Sequence, residues 1–149
     1  MAQSLSQIYI HIIYGTKNRY PYITSEIENR LHAYIAGILK NNECNAILIN
    51  SMPDHIHILT TFSKNHAPAK IVEIIKKESS KWMKSEGIVG FTWQIGYGVF
   101  SVSSSKVEVV KNYILKQKEH HKIKTFKEEV EEFFKEYSVN EYNEKYFWQ

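Results

Sequence analysis

The sequence predicts an α+β fold, a ferredoxin-like antiparallel sheet with helices on one face and additional C-terminal helices. Two observations predict it. Strand-like and helix-like segments follow one another in the order β-α-β-β-α-β-α-α, and that order contains two split β-α-β units. The chain has 149 residues, 43% of them hydrophobic, and no repeat or linker divides it. We therefore expect a single domain over residues 1–149.

The first strand and the first helix have clear patterns. Residues 7–15 are rich in β-branched and aromatic side chains, which is typical of a central strand. Ser25 and Glu28 have the spacing of a capping box, and apolar residues then recur on one helical face as far as Asn41. These features predict a strand followed by a helix with one buried side.

The middle of the chain predicts a pair of strands and a second helix. Residues 44–50 and 55–62 read as strands, and residues 51–54 as the turn between them, so the two strands are expected to be antiparallel neighbours. Pro68 is suited to the first turn of the next helix, and Gly87 to its C-terminal end.

The last third predicts one more strand and two helices. Residues 88–98 contain too many glycines for regular structure, and a strand is expected over residues 99–103. Two helices are then predicted by capping boxes, which are Ser105 with Glu108 and Thr125 with Glu128. The first of these helices is expected to run through Tyr113 to Gln117.

Composition narrows the class of protein. The net charge of +3 and the 13% aromatic content are compatible with binding a polyanion, but the charge is weaker than binding duplex DNA by charge alone would require. Cys44 is the only cysteine, which excludes an intramolecular disulfide and a cysteine-based zinc site and fits a reducing compartment. No segment approaches the ~20 apolar residues of a membrane span, so we expect a cytoplasmic protein with no membrane partner.

A pair of histidines is the first candidate site. His55 and His57 are two residues apart on a predicted strand, so both rings should point to one face while Ile56 and Ile58 point to the other. Two imidazoles on one rigid face supply part of a metal site, and a third ligand is needed to complete it. The alternative is a half-buried strand that happens to carry two histidines on its polar face.

Tyr113 and Gln117 form the second candidate. They are four residues apart on a predicted helix, so a phenol and an amide should face the same neighbour, one turn apart. Taken alone, the pair is more typical of a tyrosine at the edge of a core beside a solvated glutamine. The presence of the histidine pair favours the interpretation that Tyr113 and Gln117 face a common site.

Four separated segments resemble the HUH-type single-tyrosine transposases of small bacterial insertion sequences and their REP-associated relatives. They lie in the family's order, and the resemblance extends over roughly residues 5–135. The segments are His-Ile-Ile-Tyr-Gly-Thr-Lys-Asn-Arg at 11–19, Met-Pro-Asp-His-Ile-His-Ile-Leu at 52–59, Trp-Gln-Ile-Gly-Tyr-Gly-Val-Phe-Ser-Val-Ser at 93–103, and Tyr-Ile-Leu-Lys-Gln-Lys-Glu-His-His at 113–121.

The resemblance implies a metal-dependent transposase. His55 and His57 would be the metal pair, Gln117 the third ligand and Tyr113 the nucleophile. Such an enzyme nicks and rejoins single-stranded DNA at hairpin-marked element ends through a 5′-phosphotyrosine. The resemblance also implies a homodimer whose sites are completed in trans. Imidazole and amide ligands without a thiolate favour Mg²⁺ or Mn²⁺.

Other residues are weaker candidates for contacting DNA. Lys17 and Arg19 follow the first strand and could hold phosphates, although a solvated turn explains them equally well. Trp93 and Tyr97 could stack on unpaired bases, or they could plug the end of the sheet. His11 on the first strand is interpreted as a structural histidine and is left out of the metal set.

Two other classes of protein are weighed against the transposase. A histidine-triad nucleotide hydrolase would need a third histidine where this chain has Leu59. A non-catalytic, ferredoxin-like protein that binds single-stranded nucleic acid, such as a domesticated transposase, is the main alternative. The presence of both histidines, the tyrosine and the glutamine favours an enzyme.

Overall fold

The sheet has the predicted topology. The computed structural model describes residues 2–120, 124–137, 139 and 141–149. Its four strands lie in the order β2-β3-β1-β4, and each neighbouring pair is antiparallel, which confirms the ferredoxin-like arrangement. The strands are β1 Tyr9–Gly15, β2 Ala46–Met52, β3 His55–Thr61 and β4 Gly98–Ser101.

Helices cover both faces of this sheet. Short 3-10 helices occupy Lys17–Arg19 and Ser104–Lys106. The α-helices are α1 Glu28–Asn41, α2 Pro68–Ser85, α3 Val107–Leu115, α4 Gln117–His120, α5 Phe126–Glu136 and α6 Glu144–Phe147. Helices α1 and α2 pack on one face, as the ferredoxin-like pattern requires, and α3 and α5 lie over the other. Across these described elements, none is long and apolar enough to cross a bilayer.

Strand alternation separates two cores. Ile12, Ile56 and Ile58 point toward α1 and α2, in a large apolar cluster. On the opposite face, Ile13 packs with aromatic residues of α5, and Leu59 packs with α3. The histidines of β1 and β3 share this second face, so the C-terminal helices decide their surroundings.

The predicted helix ends are only partly right. Pro68 opens α2, and Gly87 follows it with a φ of +89°, as expected. The capping box at Ser25 is wrong because α1 begins at Glu28 without a side-chain cap. The Glu28 carboxylate instead accepts hydrogen bonds from Ser51 Oγ at 3.2 Å and from Lys118 Nζ at 2.8 Å.

The two later capping boxes differ in outcome. The box at Ser105 is wrong, since that residue lies in a 3-10 turn and α3 starts without a side-chain cap. The box at Thr125 is confirmed, because its Oγ1 accepts from the Glu128 amide at 3.2 Å. An N-terminal cap is therefore secured for α5 and not for α3.

The helix that was expected to carry both Tyr113 and Gln117 is interrupted. Helix α3 ends at Leu115 and α4 begins at Gln117, so the two side chains do not share one continuous helix. Near this point, Asn50 Nδ2 on β2 donates to the Ile114 carbonyl at 2.9 Å. That contact supplies a carbonyl near the helix end with a side-chain partner. His121, the last residue of the fourth family-like segment, lies outside the described residues.

Candidate active site

His55 and His57 lie side by side on the second face of the sheet, as predicted. Both rings are fully buried. Strand β3 is held between β2 and β1, where His55 pairs with Gly15 and His57 with Ile13. A strand held on both edges is a rigid support for the pair.

The polar atoms around the pair have the spacing of metal ligands. His57 Nε2 lies 2.8 Å from Glu129 Oε1, while His55 Nε2 lies 3.2 Å from Gln117 Oε1 and 3.7 Å from Glu129 Oε1. Ligands that lie about 2.1 Å from one ion stand about 3.0 Å apart at right angles and about 3.4 Å apart at the tetrahedral angle. His55, His57 and Glu129 can therefore hold a metal ion together, and the Gln117 amide oxygen lies 3.2 Å from one of them, His55 Nε2.

The hydrogen-bond pattern also fits a cation. His55 Nδ1 lies 2.7 Å from an Asp54 carboxylate oxygen, a contact that favours a proton on Nδ1 and leaves Nε2 facing Gln117. Gln117 Nε2 donates to Glu129 Oε2 at 3.3 Å, which directs the amide oxygen toward His55. The His55 ring nitrogen and the Gln117 amide oxygen thus face each other at 3.2 Å, and both are atom types that can bind a cation.

His11 supports the second ring from behind. Its Nε2 lies 2.9 Å from His57 Nδ1, and the two rings stack at 5.1 Å. Burial lowers the pKa of His11 well below its usual value, and the positive field of His57 adds to this. His11 can therefore orient the His57 ring, because a hydrogen bond at Nδ1 of His57 fixes the direction in which its Nε2 points.

Tyr113 lies beside the histidines of its own chain. Its hydroxyl donates to Glu129 Oε2 at 2.6 Å, and its ring contacts Phe133 edge-on at 5.3 Å. Burial, reinforced by the Glu129 carboxylate, raises the pKa of Tyr113 above its usual value. The phenol is consequently held in its protonated form as a hydrogen-bond donor.

A cleft of about 500 Å³ leads to Tyr113 from the surface. It opens between the end of β4, α3 and α5, and its wall includes Val102, Lys106, Glu132 and Tyr137. On the other side of the site, Phe126 stacks on His55 with centroids 4.0 Å apart, which closes that approach. Access to the tyrosine is therefore from the α3 and α5 side.

The prediction that Trp93 stacks on DNA is wrong. Its side chain is only 6% exposed, and its Nε1 donates to Ser79 Oγ at 2.9 Å. Its ring packs edge-on against Tyr14 at 4.8 Å and against Phe91 at 4.7 Å. The alternative interpretation, a plug at the end of the sheet, describes Trp93 correctly.

The other candidate DNA contacts remain at the surface. Tyr97 is 37% exposed. Lys76 Nζ lies over one face of its ring, 5.2 Å from the ring centroid. Lys17 and Arg19 are exposed on the 3-10 turn after β1, where Arg19 has a φ of 57° and lies over the Trp148 ring at 5.5 Å. These residues are accessible to a polyanion, and their role stays a prediction.

Glu129 is the site residue that the sequence reasoning missed. It is 1% exposed and contacts Tyr113, His57 and Gln117. A signal for it exists, because Glu129 lies three residues after Phe126 and next to Val130, inside the apolar stripe of α5. An acid on the buried face of an amphipathic helix requires a polar partner.

The chain is similar to known transposases. The family described as "Transposase IS200 like" matches residues 4–117. The ISDra2 transposase TnpA of Deinococcus radiodurans is 25% identical over 118 residues, which cover 74% of this chain and 84% of the relative.

Two solved structures share the fold. The first, described as a transposase from Deinococcus radiodurans, has a TM-score of 0.63 and 24% identity and covers 78% of this chain and 98% of its own. The second, a REP-associated tyrosine transposase bound to a REP hairpin, has a TM-score of 0.62 and 13% identity and covers 81% of this chain and 74% of its own. Because the family match spans most of the sequence and includes His55, His57, Tyr113 and Gln117, the chain belongs to the IS200-like transposases, the single-tyrosine HUH class that its motifs resemble.

Proposed function

We propose that this transposase nicks and rejoins single-stranded DNA at hairpin-marked ends, with Tyr113 as the nucleophile and Mg²⁺ or Mn²⁺ held by His55, His57 and Gln117. One observation carries the proposal. The Tyr113 hydroxyl and His57 Nε2 both contact the same buried carboxylate, that of Glu129, at 2.6 and 2.8 Å. The tyrosine and the histidine pair therefore lie close enough to act on one phosphate.

The proposed reaction conserves the phosphodiester energy. The Tyr113 oxygen bonds to phosphorus as the bond from phosphorus to the 3′ oxygen breaks. The phenol gives up one proton, which Glu129 Oε2 is placed to accept, and the leaving 3′ oxygen takes up one proton, so the products are a 5′-phosphotyrosine and a 3′-hydroxyl. Attack by a 3′-hydroxyl on the phosphotyrosine reverses these changes and joins two ends without ATP. A bound divalent ion would polarise the scissile phosphate and stabilise its developing charge.

The chain's own residues prepare this step. Asp54 and His11 contact the outer nitrogens of His55 and His57, so the inner nitrogens face the ion site. The cleft beside α3 and α5 admits a strand to Tyr113, while the Phe126 ring on His55 limits water from the opposite side.

Hairpin-bearing DNA is the proposed substrate. A structural neighbour is bound to a REP hairpin, and this chain has a net charge of +3 with Lys17 and Arg19 exposed. We infer that each chain holds a complete site, because Tyr113 contacts the cluster of its own chain. The homodimer expected from the sequence would then carry two self-contained sites.

A covalent-adduct assay tests the proposal. The protein is incubated with Mn²⁺ and a pool of labelled single-stranded hairpin oligonucleotides and then run on a denaturing gel, where we expect a protein-DNA adduct. Tyr113→Phe should reduce the adduct by at least ~100-fold while hairpin binding is kept, since only one oxygen is lost. Tyr146→Phe, which removes the hydroxyl of an exposed tyrosine on α6 outside the site, is the matched control and should react normally.

The same assay distinguishes the alternative function. A non-catalytic, domesticated transposase would bind hairpins with unchanged affinity and form no adduct in any variant. Adduct that persists in Tyr113→Phe would instead assign the chemistry to another nucleophile.

A further inference from the structure

Glu129 connects the tyrosine to the histidine pair through its two carboxylate oxygens. Oε1 lies 2.8 Å from His57 Nε2 and 3.7 Å from His55 Nε2. Oε2 accepts from the Tyr113 hydroxyl at 2.6 Å and from Gln117 Nε2 at 3.3 Å. One oxygen thus faces the ion site and the other faces the nucleophile.

The helix that carries Glu129 is docked firmly around the site. The Phe126 ring stacks on His55 at 4.0 Å, and Phe133 contacts both Tyr113 and His11 edge-on at 5.3 Å. These contacts lie three residues before and four residues after Glu129, so they hold the intervening turn of α5 over the histidines. The carboxylate therefore sits on a rigid support.

Glu129 also lies beyond the segment that defines the family match. Residues 4–117 include the histidine pair, Tyr113 and Gln117, whereas Glu129 is contributed by a later helix. Family membership alone does not assign this residue a role, and its placement has to be explained from this chain.

We propose, building on the function proposed above, that Glu129 is a further ligand of the divalent ion through Oε1 and positions the Tyr113 hydroxyl through Oε2. A carboxylate adds an anionic oxygen to two neutral imidazoles and an amide, which is a ligand type that Mg²⁺ and Mn²⁺ favour. A single side chain then fixes the distance between ion and nucleophile, which is the geometry that an in-line attack depends on.

The ligand role is tested by Mn²⁺ titration calorimetry on the DNA-free protein. Glu129→Gln keeps the shape of the side chain and removes its charge, so we expect Mn²⁺ binding to weaken at least tenfold. Glu136→Gln is the matched control, because Glu136 is an exposed acid on the same helix and lines the same cleft. Tyr113→Phe should bind Mn²⁺ as tightly as the wild type, since the phenol is not a ligand.

The positioning role is tested by single-turnover cleavage at saturating Mn²⁺. There we expect Glu129→Gln to cleave at least tenfold more slowly than the wild type, with hairpin affinity unchanged. Thermal unfolding in EDTA checks that the variant is folded. An unchanged rate at saturation would overturn the positioning role, and unchanged Mn²⁺ affinity would overturn the ligand role.

Two further outcomes separate this proposal from the proposed function. Tighter Mn²⁺ binding or faster cleavage in Glu129→Gln would mean that the carboxylate obstructs the site, which overturns the ligand and positioning roles and leaves Tyr113 as the nucleophile. Wild-type protein that binds Mn²⁺ through Glu129 but forms no adduct would contradict the proposed function and support the ligand role.

Discussion

Gly96 illustrates how a single residue controls a distant segment. An added Cβ at Gly96 would stand 2.2 Å from the Phe147 carbonyl oxygen, whereas at Gly37 it would meet nothing within 4 Å. We expect Gly96→Ala to displace α6 and lower the melting temperature. The matched change Gly37→Ala, in helix α1, should stabilise the protein by about 0.5–1 kcal/mol.

Thermal unfolding and hydrogen exchange check this pair of substitutions. Exchange should rise over Glu144–Phe147 in Gly96→Ala and stay unchanged there in Gly37→Ala. If the melting temperature and the exchange pattern of Gly96→Ala were unaltered, α6 could move away without loss of stability. The close approach between Gly96 and Phe147 would then not constrain the fold.

Among the site residues, the histidine pair was the most predictable. Alternation on a strand is a local rule, so His55 and His57 could be placed on one face from spacing alone. Glu129 and Trp93 depend on which elements pack together. Glu129 becomes a site residue only when α5 docks on the sheet, and Trp93 is buried only because Tyr14 and Ser79 are beside it.

At the scale of elements, the N-cap of α5 tests whether a capping box recognised in the sequence contributes to stability. Thr125 Oγ1 accepts from the Glu128 amide, so Thr125→Ala should lower the free energy of unfolding by about 1 kcal/mol. Ser105→Ala is the control, because Ser105 caps no helix and should leave stability nearly unchanged. Urea unfolding of the two variants measures their free energies of unfolding. Equal decreases in the two variants would contradict the assignment of a cap to Thr125 and not to Ser105.

The break between α3 and α4 shows why some elements escape prediction. The residues from Val107 to Gln117 have an uninterrupted helical pattern, and nothing within them marks an end. At the end of α3, the side chain of Asn50 donates to the Ile114 carbonyl, a contact between residues 64 positions apart in the sequence. Such a contact depends on tertiary structure and cannot be derived from a local pattern.

At the scale of the whole molecule, subunit mixing tests whether one chain is sufficient. Tyr113→Phe is mixed with a His55→Ala, His57→Ala chain under conditions that allow exchange. Each parent lacks part of the site, and we expect the mixture to remain inactive, because Tyr113 contacts the cluster within its own chain. Restored cleavage would show that the tyrosine works on a partner's histidines and would reinstate the composite dimer.

The topology was predictable because the order of elements allows few ways to build a sheet. The order of elements did not predict which face of the sheet would carry the candidate site and which would be apolar. Helices α1 and α2 cover an apolar face, and the later helices complete the opposite face, which carries both histidines of the candidate metal site. The identity of the later contacts, including Glu129, therefore had to come from the structure.

The pairing of β3 with its neighbours has a consequence for measured specific activity. If β3 slipped by one residue, Ile56 and Ile58 would replace both histidines on the face that carries the candidate site. Such a molecule would have lost the site at one step, even if it stayed compact. The number of Mn²⁺ ions bound per chain, or of DNA adducts formed per chain, would then measure the fraction of molecules in which β3 is correctly paired. A final value below one per chain would indicate mispaired molecules and not a slow reaction.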